Sequence, residues 1–224
     1  MTEPHPHLDK FRQEIAELKQ RLLALAHLAE QAIHQAVLAF IGRDEEAARQ
    51  VIVGDKAIND LEEAIDGECV RLIALYQPVA ADLRQIMAAD HIVAELERIG
   101  DLAVNIGEET LELSRPGARD FHPDLKRMAD MVLAMLRQSL TAYLEANSGL
   151  ARQVCKADNE VDDLNRRILT DLLEAMVEDE VIGFGQAQIS VARHLERVGD
   201  HATNIAEQVV YTVEGESVRH RCQG

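Results

Sequence analysis

Aromatic residues are scarce in this chain: three Tyr, four Phe and no Trp among 224 residues. A core built without large rings must rest on Ala, Leu, Ile and Val. Alanine-rich text laced with Glu and Arg favours helix. Cysteine is scarce too. Cys69, Cys155 and Cys222 are far apart and odd in number, with no CxxC or Cys/His ligand spacing. That pattern argues against disulfides and thiolate zinc sites and predicts a reducing, cytoplasmic setting. No run of about 18 apolar residues occurs, so no membrane span is expected. The opening MTEPHPHLDK lacks the apolar stretch of a signal peptide. Positive charge is in deficit, with 23 Lys and Arg against 40 Asp and Glu and a formal net charge of -17. Such a surface repels phosphate backbones, which argues against nucleic acid, and suits cations or basic protein surfaces.

What is present is helix-period hydrophobicity. Phe11, Ile15, Leu18, Leu22, Leu25, Ala29, Ile33, Val37 and Phe40 fall mostly three or four apart, an apolar stripe on one helix from Leu8 to about Ile41. Gly42 reads as its C-cap and Asp44 as the next N-cap. A second helix runs from Glu45 to Tyr76, with Gly54 a possible bend, and Gln77-Pro78 stops it. A third continues to about Leu113. Ser114-Arg115-Pro116-Gly117 then reads as a mid-chain linker. The second half repeats the plan, with helices over Pro123 to Ala146, Gly149 to Glu178, and a last one to Val213 after a turn around Asp179–Gly185. Asn147 takes the N-cap place that Asp44 holds. The expected fold is all-α: two three-helix bundles, over residues 8–113 and 118–214, joined by short antiparallel connections.

The halves share text as well as pattern. ERIGDLAV at 97–104 and ERVGDHAT at 196–203 lie 99 residues apart, and each continues into Asn-Ile. Ala48-Arg49-Gln50-Val51 matches Ala151-Arg152-Gln153-Val154 at an offset of 103. Asp55 then matches Asp158. The change of offset shortens the second hairpin by about one helical turn.

Residues four apart share a helix face, so Glu97 projects with Asp101 and Glu196 with Asp200. Folding the chain about Pro78 brings Asp55 level with Asp101 and Asn59 level with Glu97. Folding about Asp179 brings Asp158 level with Asp200 and Asp162 with Glu196. Each half thus offers four oxygen-bearing side chains at one height. Two readings stand. Acids on helices commonly form a solvated face, and Arg98 and Arg197 could bridge to Asp101 and Asp200. Alternatively, carboxylates without His or Cys suit hard cations such as magnesium, manganese, calcium or iron, and zinc less well. Gly100 and Gly199 recur inside the motifs, at a cost of about 1 kcal/mol each relative to Ala, which points to close helix packing. Asn105 and Asn204 continue the stripe, as supports for the acids or as partners of a neighbouring helix. His194 and His201 face Glu95 and Leu102 in the repeat, so they read as surface histidines. Gly183-Phe184-Gly185 lacks the preceding strand of a phosphate loop. No nucleophile sits with a plausible base, so an enzyme is not expected.

ERIGD, ERVGDHATNIAE, Asp55-Lys-Ala-Ile, Asp158-Asn-Glu-Val, DLRQI at 82–86 and the closing Tyr211…Gly215…Arg219-His220 together resemble the PhoU family, over roughly Leu8 to His220. The resemblance implies two three-helix bundles related by a pseudo-twofold axis. It implies metal clusters held by paired acidic motifs: Asp55, Glu97 and Asp101 in one bundle, Asp158, Asp162, Glu196 and Asp200 in the other. Iron, manganese, magnesium and zinc are the candidate ions. Asn59 departs from the pattern and predicts a weaker first site. The resemblance further implies a cytoplasmic, often dimeric regulator. It would couple a phosphate ABC transporter to a membrane sensor histidine kinase, repressing the phosphate-starvation response when phosphate is plentiful, and would meet the membrane only through those partners. A metal-dependent carboxylate-bundle enzyme or metal buffer is the alternative. It is disfavoured because such bundles use Glu-x-x-His ligands, which neither motif has nearby. A metal-free structural adaptor is a third reading.

Overall fold

The structure, a computed structural model, describes residues 6–113, 120–176 and 179–215, with side chains from Leu8 and, in the last segment, from Ile182. Six helices account for nearly all of it: α1 Pro6–Gly42, α2 Glu45–Tyr76, α3 Ala80–Glu112, α4 Pro123–Glu145, α5 Ser148–Ala175 and α6 Asp179–Glu214. The helix starts follow from local chemistry. Asp44 accepts a hydrogen bond from the Ala47 amide at 3.0 Å, and Asn147 does the same for Leu150, each satisfying one otherwise orphaned donor. Pro123 opens α4, where its missing N–H costs nothing.

α1, α2 and α3 pack as one bundle and α4, α5 and α6 as the other. The bundles meet chiefly through α3 and α6, with α1 also touching α4. One apolar core runs through both, from Leu18, Leu22 and Ile33 across Ile92, Leu96 and Ile99 to Val132, Leu136, Leu195 and Val198. α3 and α6, which carry the repeated motifs, are therefore the central pair. α1 is long and apolar enough by length and composition to cross a membrane, but its apolar stripe is buried against α2, α3 and α4.

Several expectations change. Gly42 ends α1 in helical conformation, and Arg43 takes the left-handed turn instead, with φ 53°. The reason lies across the bundle boundary: the Arg43 guanidinium stacks over the rings of Phe121 and Phe184, 5.3 and 5.0 Å from their centroids. These contacts hold the strained residue in place. α2 runs through Gly54 without interruption. The turn expected at Asp179–Gly185 is helix from Asp179 onward. Gly185 is buried there, and a Cβ would meet Met176 Cε at 2.0 Å, so the residue is small for packing rather than for turning. Cys155 is buried and disulfide-bonded, against the expectation of no disulfide. Sequence spacing carries no information on which segments the fold brings together. The 114–117 linker and Arg219-His220 lie outside the described residues.

Candidate functional site

The first acid seam lies between α2 and α3. Asn59 Nδ2 donates to Asp55 Oδ2 at 2.9 Å. The other carboxylate oxygen, Asp55 Oδ1, is buried with no hydrogen-bond partner. It rests against Gly100, where a Cβ would sit 3.0 Å from that oxygen and 3.0 Å from Ile58. The glycine of ERIGD therefore makes room for the aspartate of α2. Burial, and then the charge of Asp101, push the Asp55 carboxyl above the ordinary carboxylate range, against the lowering effect of Asn59. Glu97 is pushed up in the same way, by burial first and then by Asp101, Glu62 and Asp55. Arg98 partly compensates, 3.6 Å from both Glu97 and Asp101. The bridging expected of Arg98 is thus present, and it does not cancel the repulsion at Glu97.

The second seam, between α5 and α6, repeats this. Asp158 is 4% exposed, and its Oδ1 lies 3.2 Å from where a Gly199 Cβ would be. Burial and then the charges of Asp200 and Asp162 raise the Glu196 carboxyl. Burial and then Asp162 raise Asp200. Folding about Asp179 therefore brings Asp162 to both acids of the motif, and folding about Pro78 brings Asp55 to Asp101 and Glu97. All seven acids singled out in the sequence lie on the two seams.

The donor set is all oxygen, carries surplus negative charge, and includes one orphaned buried carboxylate oxygen. Those features match a hard cation. Among the described residues no three carboxylate, imidazole or thiol groups converge closely enough to hold an ion as the side chains stand.

Sequence reasoning missed two features. Glu62 lies seven residues, about two turns, beyond Asp55, and its charge reaches Glu97. The spacing could have revealed it. The histidines are not surface residues. His201 Nδ1 lies 2.6 Å from Glu95 Oε2 on α3, and Asn204 donates to the same oxygen at 3.1 Å. Burial alone would raise the Glu95 carboxyl, but these hydrogen bonds hold it below its usual range. The pseudo-twofold carries that polar pair onto His194 and Leu102. There the half-buried His194 leaves Nδ1 without a hydrogen-bond partner, and burial lowers its pKa. Asn204 thus bonds a neighbouring helix, the second of its two expected roles.

Fold and seams together define a duplicated three-helix protein with one carboxylate seam in each half. A family model described as the PhoU domain matches twice, at residues 22–110 and 125–209. The chain belongs to the PhoU family. A phosphate-specific transport system accessory protein PhoU homolog from Clostridium acetobutylicum is 37% identical over 210 residues, covering 93% of this chain and 96% of that one. The phosphate-specific transport system accessory protein PhoU of Escherichia coli is 34% identical, covering 94% and 88%. The crystal structure of PhoU from Pseudomonas aeruginosa superposes with a TM-score of 0.87 at 36% identity, over 92% of this chain and all of that one. That of the phosphate transport system regulatory protein PhoU from Streptococcus pneumoniae gives 0.87 at 31% identity, over 93% and 99%.

Proposed function

We propose that this chain is an accessory regulator of a phosphate-specific transport system. In this reading it couples a phosphate ABC transporter to a membrane sensor histidine kinase and holds down the starvation response when phosphate is plentiful. It works in the cytoplasm, as a homodimer, without catalysing a reaction. The observation that carries the proposal is similarity along nearly the whole chain to proteins named as accessory or regulatory components of phosphate transport. In the same proposal each seam binds metal ions as structural or docking elements: Asp55, Glu97 and Asp101 in the first bundle, Asp158, Asp162, Glu196 and Asp200 in the second. The oxygen-only donor set and its surplus negative charge support this.

Two measurements test the parts separately. Deletion of the gene should derepress a phosphate-starvation reporter in phosphate-replete medium, and unchanged reporter output and phosphate uptake would refute the regulatory role. Elemental analysis of the native protein should find a divalent metal or iron that Glu196→Gln with Asp200→Asn diminishes. Metal content indifferent to that change would remove the second seam as a metal site.

A further inference from the structure

Beyond the second acid seam, α5 and α6 run on toward their connection, and the surface between them changes character. Leu169 and Leu173 on α5, with Phe184, Ala187 and Ile189 on α6 and the end of α3, line a groove of about 980 Å³. Leu173 is 57% exposed within it. From Leu169 to Met176 is about two helical turns, roughly 10 Å. The internal repeat shows that this face is not a fixed property of the fold. At the two offsets Leu169, Leu173 and Ile189 correspond to Asp66, Val70 and Asp90. There the first bundle places an acid pair, and burial and then a hydrogen bond that the protonated Asp90 donates to Asp66 raise the Asp90 carboxyl. The apolar floor belongs to the second half.

The rim is charged. Glu109 and Glu112 line the α3 side, with Arg193 on α6. Asp162, Glu196 and Asp200 continue the negative charge about two turns along the same seam. An occupant must therefore be apolar on one face and cationic on the other. Walls made of parallel helix surfaces fit a helix laid between them, read through anchors at i, i+3/i+4 and i+7. A second copy of this chain, at a net charge of -17, is a poor electrostatic match.

We propose that this groove docks a cationic amphipathic helix of a partner protein, one per chain. The apolar face of that helix covers Leu169, Leu173 and Ile189, and its Lys or Arg residues meet Glu109 and Glu112. The proposal does not depend on the transport role, and Glu109 and Glu112 supply acidic partners in the groove itself whether or not the seams hold metal.

The test is a titration of the full chain, without added metal, with a fluorescent Leu/Lys peptide of about 18 residues, five helical turns, patterned as an amphipathic helix. The controls are a scrambled peptide of the same composition and a Leu/Glu counterpart. One patterned Leu/Lys helix should bind per chain, well ahead of both controls. Leu173→Glu should weaken it about tenfold, because a half-exposed leucine completes its burial on docking. Glu109→Gln with Glu112→Gln should weaken binding and flatten its salt dependence. Val70→Glu, the equivalent exposed position in the first bundle, should change nothing, and circular dichroism should show all variants folded. The proposal is overturned if the scrambled peptide binds equally well, if Val70→Glu matches Leu173→Glu, or if two peptides bind. It is also overturned if Leu173→Glu abolishes a concentration-dependent self-association, which would assign the groove to a second copy.

Discussion

On the α2 face the first seam reads Asp55, Asn59, Glu62, and 103 residues on, the α5 face reads Asp158, Asp162, Asn165. Carboxamide and carboxylate have exchanged places. The motif helices add the same pair to each, Glu97 with Asp101 and Glu196 with Asp200. Counted by motif position, the first seam lacks an acid. Counted by face, each seam has four carboxylates and one carboxamide. The charge of Glu62 reaches Glu97, as that of Asp162 reaches Glu196. The comparison teaches that the duplicated property is the total charge of the seam, and that a substitution at one turn can be made good one turn along.

The largest effect expected from this view concerns cations. A site filled at a hundred times its dissociation constant stabilises the fold by about 2.7 kcal/mol, which for a chain of this size is roughly 5–10 °C in melting temperature. Manganese(II) should produce such a shift. Glu97→Gln with Asp101→Asn and Glu196→Gln with Asp200→Asn should each remove part of it, in similar measure. A shift lost entirely with the second pair alone would mean that Glu62 does not replace the missing acid at Asn59.

The glycines come next. Gly100 and Gly199 stand at equivalent positions but differ in clearance. A Cβ at Gly100 would meet both Asp55 and Ile58 at 3.0 Å, whereas at Gly199 the nearest atom is Asp158 Oδ1 at 3.2 Å, with Val161 at 3.5 Å. Alanine gains about 1 kcal/mol of helix propensity at either site, and overpacking costs about 1–3 kcal/mol. Gly100→Ala should therefore be net destabilising, by about 1 kcal/mol, and Gly199→Ala close to neutral. Denaturant midpoints of the two variants check the difference, and equal midpoints would show that the α2–α3 seam yields as easily as α5–α6.

The helices and the acids were legible because both obey short periods. Apolar residues three and four apart define Leu18-Leu22-Leu25, and the i,i+4 rule puts Glu97 beside Asp101 without any knowledge of the fold. Pro78 marks a hairpin, so register across α2 and α3 followed by counting. What was illegible depends on contacts between the bundles. His201 looked like a surface histidine because its partner, Glu95, lies 106 residues away on α3. Arg43 at the end of α1 bends the chain for the sake of Phe121 and Phe184. Gly183 and Gly185 look like turn formers from local text, which cannot show that Met176 presses against Gly185. Glu62 differs from these: it stands seven residues from Asp55, outside the i,i+4 spacing that marks the motif pairs, yet on the same face.

A smaller effect tests the charge count directly. Asn59→Asp and Asn165→Glu each add a fifth carboxylate to one seam. Without metal, each should lower the melting temperature by about 1 °C or more, since a like charge at helix spacing costs a few tenths of a kcal/mol. With manganese(II), each should tighten binding in its own half. Calorimetric titration of the two variants gives the comparison. If Asn59→Asp restores binding that the wild-type first seam lacks, while Asn165→Glu does nothing, motif position matters more than seam charge.

The smallest effect is the pH dependence, and its sign follows from the seams. Asp55, Glu97, Glu196 and Asp200 have raised carboxyl pKa values in the folded chain. A carboxyl with a raised folded pKa takes up its proton more readily when folded than when unfolded. It therefore destabilises the fold at neutral pH, and that penalty disappears as pH falls through the raised folded pKa toward the ordinary carboxylate value. Glu68, Glu95 and Glu214 have the opposite shift. Their stabilisation persists above the ordinary value and is lost only as pH falls further, through their depressed folded pKa values. Stability without metal should hence rise on mild acidification from neutral, pass a maximum near the ordinary carboxylate range, and fall below it. The seam acids are partly solvated, which keeps the rise to a degree or so in melting temperature. Glu97→Gln and Glu196→Gln should each flatten the rising limb by a similar amount, because burial and neighbouring carboxylates act alike on both. Manganese(II) should flatten it as well, since a bound cation removes the repulsion that protonation would relieve. A rising limb undiminished by both substitutions together would show that other raised carboxyls, Asp55, Asp200 and Asp90 among them, rather than the two motif glutamates, set the acid side of the stability profile.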